Sequence, residues 1–316
     1  MRTTTLGKNG PVVGRIGLGT MGMSFGYDPH GWDDEASTRV IRRALDLGVN
    51  LIDTADAYGP FTNEELVGRA LAGRRDDVVL STKGGLVVDE NGLGLNGRPE
   101  YLRAAVDASL ARLGTDHVDL YFLHRVDPQV PLEESWGALG EAVAQGKIRA
   151  LGLSAVSLEQ VRRAQEVHPV AAVESEASLF TRDAFDEVLP YCTAHGIAFL
   201  PFSPLGRGLL TGAFTKPSDL PKDDWRSTQP RFTEEAMAAN KAIVDSVRAI
   251  ADRHRATPAQ VALAWLLAKG EHVIPIPGTK SLRYLEQNAG GADLTLTAEE
   301  VAELDALPAP VGAPEA

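Results

Sequence analysis

The chain alternates between two kinds of hydrophobic pattern along almost its whole length. Short runs rich in Val, Ile and Leu predict strands, and longer stretches with apolar residues every three or four positions predict helices. The predicted strands are 16–18, 49–52, 78–81, 118–123, 148–153, 170–173, 197–202 and 273–276. The predicted helices are 33–47, 64–71, 99–113, 132–144, 158–167, 184–194, 234–253, 258–268, 282–289 and 298–307. This regular alternation predicts a parallel sheet.

Eight strand–helix units in 316 residues match the size of a single (β/α)8 TIM barrel. Two short runs, 3–6 and 12–15, flank an Asn-Gly pair, and this spacing predicts an N-terminal β-hairpin. No linker-like segment interrupts the pattern, so we predict one domain over 1–316 with a frayed tail at 308–316. The long Gly- and Pro-rich segment 206–231 is consistent with a ligand-covering lid and equally with disorder.

Charge and composition exclude several classes of function. Asp and Glu number 43 against 31 Lys and Arg, a formal net charge of −12, which argues against general nucleic-acid binding. No run of about 18 apolar residues predicts a membrane span, and the N-terminus lacks an apolar signal core, so we expect a cytoplasmic protein. The single cysteine, Cys192, excludes an intrachain disulfide, and the sequence contains no metal-ligand pattern.

The run 17–22, Gly-Leu-Gly-Thr-Met-Gly, matches the spacing G-x-G-x-x-G of a dinucleotide-binding fingerprint. That fingerprint requires a helix to open directly at the glycines. Here Gly26, Pro29 and Gly31 follow, and the next helix is predicted only from residue 33. We therefore interpret the run as a loop after the first strand, whose glycines still allow a ligand to approach the backbone closely.

Polar residues stand at the ends of three consecutive predicted strands. Asp53 ends the second strand, Lys83 the third and His124 the fourth, and Tyr58 lies on the loop after Asp53. In a (β/α)8 barrel the C-terminal ends of the strands carry the catalytic groups. Taken singly, Asp53 is consistent with a helix cap, Lys83 with a surface charge and His124 with an interior histidine. Their common position favours an active site.

These four residue types suit the protonation of an oxygen atom. A free tyrosine has a pKa of about 10, and a nearby lysine cation lowers that pKa by stabilising the phenolate. Asp53 can pair with Lys83 and keep it charged. A neutral histidine can hydrogen-bond a carbonyl oxygen and orient it. No side chain donates hydride, so a reduction at this site needs a cofactor.

Several segments resemble the signature regions of the aldo-keto reductase superfamily. They are Asn50-Leu-Ile-Asp-Thr-Ala-Asp-Ala-Tyr-Gly59, Ser81-Thr-Lys83, Asp119-Leu-Tyr-Phe-Leu-His124, Gly152-Leu-Ser154, and the runs 202–210 and 274–280. The match extends from residue 3 to about 305 and resembles in particular the branch with bacterial oxidoreductases and pyridoxal reductases. The resemblance implies a (β/α)8 barrel, NADPH as cofactor, and a catalytic tetrad of Asp53, Tyr58, Lys83 and His124.

The same resemblance implies a set of cofactor-binding positions. Ser154 matches a serine that holds the nicotinamide carboxamide, and Phe202 matches the aromatic residue, commonly tyrosine, that stacks on the cofactor ring. Lys280 supplies a cation for the 2′-phosphate, with a solvated loop lysine as the alternative interpretation. The remaining positions are Gly19, Thr20, Met21, Asp53, Glu174, Ser203, Pro204, Leu205, Gly206, Arg207, Gly208, Ile276, Gly278, Thr279, Ser281, Tyr284, Gln287 and Asn288.

Two positions depart from the family's pattern. Ala155 stands where an asparagine is usual, and Glu174 stands where a glutamine is usual. A carboxylate at position 174 can accept a hydrogen bond from the carboxamide but cannot donate one. If ionised, its negative charge favours NADP⁺ over NADPH, because only the oxidised ring is positive. Burial that keeps Glu174 protonated, or pairing with Lys83 or Arg207, would change this expectation.

The sequence therefore favours NADPH-dependent reduction of a small aldehyde or ketone to an alcohol, with Tyr58 as proton donor. A Schiff-base aldolase with Lys83 as nucleophile is a second enzyme class that barrels of this kind host. A third hypothesis is a non-catalytic, cofactor-sensing subunit, as the superfamily's potassium-channel β-subunits suggest. The identity of the carbonyl compound and the oligomeric state do not follow from the sequence.

Overall fold

The chain opens with the predicted hairpin in the computed structural model, which describes residues 1–89 and 92–312. Strand β1 (Thr3–Thr5) pairs antiparallel with β2 (Val12–Gly14). Leu6, directly after β1, is buried among apolar residues from the N-terminal ends of the barrel strands. The hairpin therefore covers this end of the barrel, as a plug of apolar side chains.

Within the residues that the structure describes, seven parallel strands form the barrel wall. After the hairpin, the strands in chain order are β3 (Leu18–Gly19), β4 (Leu51–Asp53), β5 (Val79–Gly84), β6 (Leu86–Asp89), β7 (Gly92–Leu95), β8 (Val118–Leu123), β9 (Ile148–Ser154), β10 (Ala172–Glu176) and β11 (Ala198–Phe202). The barrel sheet has the order β3-β4-β5-β8-β9-β10-β11. Strand β8 coincides with its predicted bounds, and the other barrel strands differ from theirs only at the ends.

The segment predicted as the eighth strand, 273–276, completes the barrel without forming a regular strand. It lies between β11 and β3. Gly17 N donates to Pro275 O (2.9 Å), and Ile276 N donates to a carbonyl of β11 (3.0 Å). Because Pro275 and Pro277 have no N–H, donors are missing from the ladder and the pairing is reduced to isolated bridges. The prediction of a regular strand here is wrong, whereas the predicted (β/α)8 barrel is confirmed.

The helices surround the sheet. Within the described residues they are α1 (Asp34–Asp46), α2 (Thr62–Leu71), α3 (Pro99–Leu113), α4 (Leu132–Ala144), α5 (Leu158–Val167), α6 (Val188–His195), α7 (Glu234–His254), α8 (Pro258–Leu267), α9 (Leu282–Gly290) and α10 (Ala298–Asp305). The bounds of α3, α4 and α5 were predicted without error. Helix α6 begins later than predicted, because Pro190 cannot donate to a carbonyl four residues back.

A second hairpin, which the sequence did not predict, follows β5 at the C-terminal end of the barrel. Strands β6 and β7 pair antiparallel, with Leu86 opposite Leu95. Four glycines within 84–94 interrupt the apolar–polar alternation from which a strand is recognised. Leu93 is 66% exposed, so the outer strand of this hairpin faces solvent.

The C-terminal segment packs against helix α7. Val311 N donates to Asn240 Oδ1 and Asn240 Nδ2 donates to Val311 O, both at 2.8 Å. Residues 313–316 of the predicted frayed tail lie outside the described residues, and the single-domain assignment stays a prediction. No helix in the described ranges is both long and apolar enough to cross a membrane.

A glycine on β9 makes room for an aromatic ring inside the barrel. Gly152 pairs with Phe122 of β8, and a Cβ at Gly152 would lie 2.3 Å from the Phe122 ring. Phe122 is fully buried, so a displaced ring would press on the groups that enclose it. The ring centroid lies 5.8 Å from Lys83 Nζ, so this packing forms the floor of the polar cluster described below.

We expect Gly152→Ala to lower the free energy of unfolding by about 1–3 kcal/mol, because overpacking strains a closed core. Gly137→Ala is the matched control. Gly137 lies in helix α4, where an added Cβ would meet no atom within 4 Å, and alanine there should raise stability by roughly 0.5–1 kcal/mol. Urea denaturation of both variants checks this. Equal stability of the two variants would contradict the packing argument.

Candidate active site

The four residues that the sequence singled out lie together at the C-terminal end of the barrel. Asp53 ends β4, Lys83 lies on β5 and His124 directly follows β8. Neighbouring parallel strands end at one edge of the sheet, and the register that pairs Lys83 with Phe122 brings these side chains together. Tyr58 reaches them from the loop between β4 and α2.

Lys83 is fully buried, and three acceptors hold its ammonium group. Nζ donates to a carboxylate oxygen of Asp53, to Thr54 O (3.0 Å) and to Tyr58 Oη (3.5 Å). Burial opposes the charge on Lys83, but the adjacent Asp53 carboxylate is the largest of the charges that outweigh it and hold the pKa above its ordinary value. Lys83 is therefore a cation at neutral pH.

The phenol of Tyr58 is protonated in this environment. Burial raises its pKa above the ordinary value of about 10, and the Lys83 cation opposes only part of that rise. The expectation that Lys83 lowers the pKa below the free value is therefore wrong for the protein alone, because burial outweighs the cation. The site holds a phenol that keeps its proton, beside a cation that stabilises the phenolate once the proton has left.

The imidazole of His124 is neutral. Burial lowers its pKa well below the ordinary value, and the Lys83 and Arg125 cations lower it further. Its Nδ1 is buried without a hydrogen-bond partner among the described residues. The ring stands edge-on to Tyr58, with centroids 5.8 Å apart. A neutral ring in this position can hydrogen-bond an oxygen atom that also reaches the phenol.

Arg125 is a site residue that the sequence analysis missed. Its Nη1 donates to His124 O (2.7 Å) and to Ser154 Oγ (3.2 Å), so it links the ends of β8 and β9. The available signal was its position directly after the strand-end histidine. Its cation also adds positive potential near His124, which supports the neutral imidazole.

Asn63, at the start of α2, organises a second layer that the sequence also did not reveal. Its Oδ1 lies 2.6 Å from Thr20 Oγ1 and 2.7 Å from Thr54 Oγ1, and its Nδ2 donates to Thr20 O (3.0 Å). Thr54 is thereby fixed where its carbonyl accepts from Lys83. Thr20, predicted to contact a cofactor, is buried in this network, with its hydroxyl 2.8 Å from Asp53 O.

Three of the predicted cofactor positions continue the same edge of the barrel. Ser154 ends β9, Glu174 lies opposite it on β10, and Phe202 ends β11. Glu174 is 3% exposed, and its Oε2 lies 3.5 Å from Lys83 Nζ. Of the two cations that the sequence offered as partners, the structure therefore has Lys83 and not Arg207 beside Glu174.

The predicted run 203–208 is a tight loop after β11. Four of its residues have φ between +49° and +99°, a conformation that the two glycines at 206 and 208 adopt without strain. The guanidinium of Arg207 donates to Glu176 (2.9 Å) and to Gln229 (3.0 Å). Its charge is thus partnered within the protein.

The predicted phosphate-binding segment ends at a helix N-terminus. Helix α9 follows Ser281, whose side chain makes no capping hydrogen bond, and no acidic residue lies in the first turn. Free N–H groups at such an end bind anions. Lys280 lies beside it and donates to Asp28 O (3.2 Å) and Asp28 Oδ2 (3.0 Å). Lys280 is therefore an anchored cation and not a solvated loop lysine.

The other predicted positions are distributed around this edge. Gly19 pairs with Gly278 in an isolated bridge, which joins β3 to the closing segment. Asn288 is buried on the inner side of α9, whereas Tyr284 is 52% exposed. The remaining predicted residues lie in the loop after β3, the loop after β11, the closing segment and α9, namely Met21, Pro204, Leu205, Ile276, Thr279 and Gln287.

The segment 206–231 packs against the loop that follows β3. Trp225 N donates to Gly26 O (3.3 Å), and the Trp225 ring meets the Tyr27 ring edge-on with centroids 6.3 Å apart. Asp28 N donates to Asp224 Oδ2 (2.9 Å). Of the two interpretations open from the sequence, these contacts contradict disorder, and a ligand-covering role for the segment stays a prediction.

Comparisons with known proteins agree with this geometry. The model of the aldo/keto reductase family matches residues 15–309. A protein from Glycine max named "Probable aldo-keto reductase 1" is 40% identical over 304 residues, which is 95% of this chain and 86% of that protein.

Two solved structures show the same architecture. The glycerol dehydrogenase of Gluconobacter oxydans is 34% identical and superposes with a TM-score of 0.86 over 96% of this chain and 94% of that one. An aldo/keto reductase from Klebsiella pneumoniae, solved in complex with NADP and acetate, is 28% identical, with a TM-score of 0.73 over 96% of this chain and 95% of that one.

We expect the His124 imidazole to stay neutral between about pH 8 and about pH 6, because its folded-state pKa lies well below 6.5. NMR of histidine-labelled protein checks this, with the signal identified by its absence from His124→Gln. The other histidines provide internal comparison. A protonation midpoint at or above about 6.5 for the His124 signal would show that burial and the two cations do not act as described.

Proposed function

Because the chain belongs to the aldo/keto reductase family, we propose that it reduces an aldehyde or ketone to an alcohol with NADPH as the reductant. The observation that carries this proposal is the pairing of a protonated Tyr58 with the buried Lys83 cation, 3.5 Å from Nζ to Oη. A neutral histidine ring stands beside the same phenol. Tyr58 is thus a proton donor that lies beside a cation, and this cation stabilises the negative charge left on the phenolate after proton transfer.

The residues around the cleft fit a dinucleotide with a 2′-phosphate. Lys280 and the uncapped start of α9 provide a cation and free N–H groups for a phosphate. At the other end, Ser154 and Phe202 end β9 and β11 at the same edge of the barrel as the Tyr58–Lys83 pair, where a nicotinamide ring would lie. When bound, NADPH supplies the hydride, which no side chain of the site provides.

In the proposed reaction, His124 and Tyr58 hydrogen-bond the carbonyl oxygen of the substrate. Tyr58 gives its proton to that oxygen as the carbonyl carbon is reduced. Lys83 stabilises the phenolate so formed, and Asp53 keeps Lys83 charged. The apolar burial around these groups excludes water, which strengthens each of these interactions.

The Schiff-base hypothesis is less well supported. A Schiff base requires an uncharged lysine amine, whereas Lys83 is held as a cation by Asp53. Borohydride trapping with substrate tests it directly, since a reductase gives no covalent adduct at Lys83. The cofactor-sensing hypothesis predicts tight NADPH binding without turnover.

The experiment that tests the proposed function is NADPH consumption against a panel of aldehydes, ketones and pyridoxal. The panel includes the carbonyl products of glycerol oxidation, because a structural relative is a glycerol dehydrogenase. Turnover of at least one carbonyl compound supports the proposal. NADPH binding without turnover across the panel supports a sensing subunit instead.

We expect Tyr58→Phe to lower kcat by about 10²–10⁴-fold while NADPH affinity stays nearly constant, because the variant loses only the proton donor. Stopped-flow kinetics and cofactor titration measure the two quantities separately. Phe25→Leu is the control, because it alters a ring 6.3 Å from that of Tyr58 and leaves the proton donor in place. Wild-type turnover in Tyr58→Phe would refute the mechanism.

We expect Lys280→Ala to weaken the binding of NADPH by roughly 10- to 150-fold and that of NADH much less. A charge-assisted contact is worth about 1.5–3 kcal/mol, and only NADPH carries the 2′-phosphate. Asp28→Asn is the matched control, because it also breaks the Lys280–Asp28 pair but leaves the cation in place. NADPH should not bind more weakly to that control. Equal losses for NADPH and NADH in Lys280→Ala would assign the phosphate to another cation, such as Arg283.

A further inference from the structure

Glu174 has a buried carboxylate oxygen that lacks a hydrogen bond. The side chain of Glu174 is 3% exposed, and Oε2 makes no hydrogen bond to any residue that the structure describes. It is aimed at the Lys83 ammonium group, 3.5 Å away. A buried carboxylate without hydrogen bonds is costly, since nothing replaces the water it has lost.

Lys83 has no hydrogen left with which to satisfy Glu174. An ammonium group carries three hydrogen atoms, and the three hydrogen bonds of Lys83 go to Asp53, to the Thr54 carbonyl and to Tyr58. Asp53 and Glu174 are thus two carboxylates that share one cation. If both are ionised, the cluster of three buried side chains carries one unpaired negative charge.

The other charged and titratable groups near Glu174 do not remove that excess. Arg125 attracts Glu174, but its Nη1 donates to His124 O and Ser154 Oγ. Tyr58 and His124 are both neutral, for the reasons given above. Burial and the Asp53 charge raise the pKa of Glu174 to about 8, against the opposing pull of Lys83 and Arg125.

We infer that Glu174 couples the redox state of the cofactor to a proton: it is protonated beside the neutral reduced ring and ionises when the positively charged oxidised ring binds. This inference rests on the proposed function. It concerns a position where the family usually has a neutral glutamine, so the coupling would be a property of this chain. The oxidised ring supplies the positive charge that the Asp53–Lys83–Glu174 cluster lacks.

The sign of the coupling follows from linkage. A bound cation favours the ionised carboxylate, so NADP⁺ binding lowers the pKa of Glu174 and releases a proton where the group was protonated before. NADP⁺ affinity therefore rises with pH up to about pH 8, by up to about tenfold per pH unit for one linked proton, and levels off above it, where Glu174 is already ionised before binding. Both cofactors carry the same phosphates, so titration of those groups cancels in the NADP⁺/NADPH affinity ratio.

The test is isothermal titration of the full-length protein with NADP⁺ and with NADPH. Each titration is repeated in buffers of different ionisation enthalpy, from about pH 7 to about pH 9, which gives the number of protons released. Below about pH 8 we expect NADP⁺ to release more protons than NADPH and the NADP⁺/NADPH affinity ratio to rise with pH, and toward pH 9 we expect both effects to level off. Equal proton release for the two cofactors would overturn the inference.

Glu174→Gln keeps the shape and removes the titrating group. It should abolish the difference in proton release and lower the NADP⁺/NADPH ratio at high pH by roughly five- to tenfold. Asp56→Asn is the control, because Asp56 is the other carboxyl whose pKa burial, with the Glu64 charge, raises to about 8. Loss of the proton difference in Asp56→Asn, with its retention in Glu174→Gln, would overturn the assignment to Glu174.

The outcomes separate the two proposals. If neither cofactor binds, the proposed function fails, and with it the inference that depends on it. If both bind and the wild-type protein turns over a carbonyl compound without a redox-dependent proton, only the inference fails. The wild-type measurement alone decides this, so the result does not depend on whether either variant folds.

Discussion

The burial of one ammonium group constrains the whole C-terminal end of the barrel. Lys83 has no solvent exposure, so its charge is tolerable only where carboxylates and fixed dipoles replace water. Asp53 provides the charge, and the hydroxyl of Ser81 holds its second oxygen at 2.7 Å. The position of Tyr58 follows from the same constraint, because its hydroxyl is the third partner of Lys83.

Two sets of contacts within the fold hold Lys83 and its partners in place. Below Lys83, Gly152 admits the Phe122 ring, which forms an apolar floor. Beside it, Asn63 fixes the turn that carries Thr54, whose carbonyl accepts from the ammonium group. Both supports are contacts within the protein itself. The dipoles that stabilise the reacting groups are thus oriented in advance, which is the condition under which electrostatic catalysis is effective.

Strand ends were predictable from the sequence, but contacts between distant segments were not. The sequence was enough to predict that Asp53, Lys83 and His124 lie together. Parallel strands end at a common edge of the sheet, however the helices pack around it. The segment around Pro275 does not pair as a regular strand, because this depends on which carbonyls of the neighbouring strands the missing proline N–H groups would have reached. The pairing of Lys280 with Asp28 joins residues 252 positions apart. The raised pKa of Tyr58 was missed because burial is a property of the packed structure and not of the neighbouring residue types.

The most direct test of the account follows the hydrogen atoms themselves. The protein is incubated with a carbonyl compound and NADPH that carries deuterium at both C4 positions of the nicotinamide ring, and the product is analysed by mass spectrometry. The account predicts one deuterium on the former carbonyl carbon, with the hydroxyl proton coming from Tyr58 and hence from solvent. Consumption of the substrate without deuterium on that carbon would contradict it.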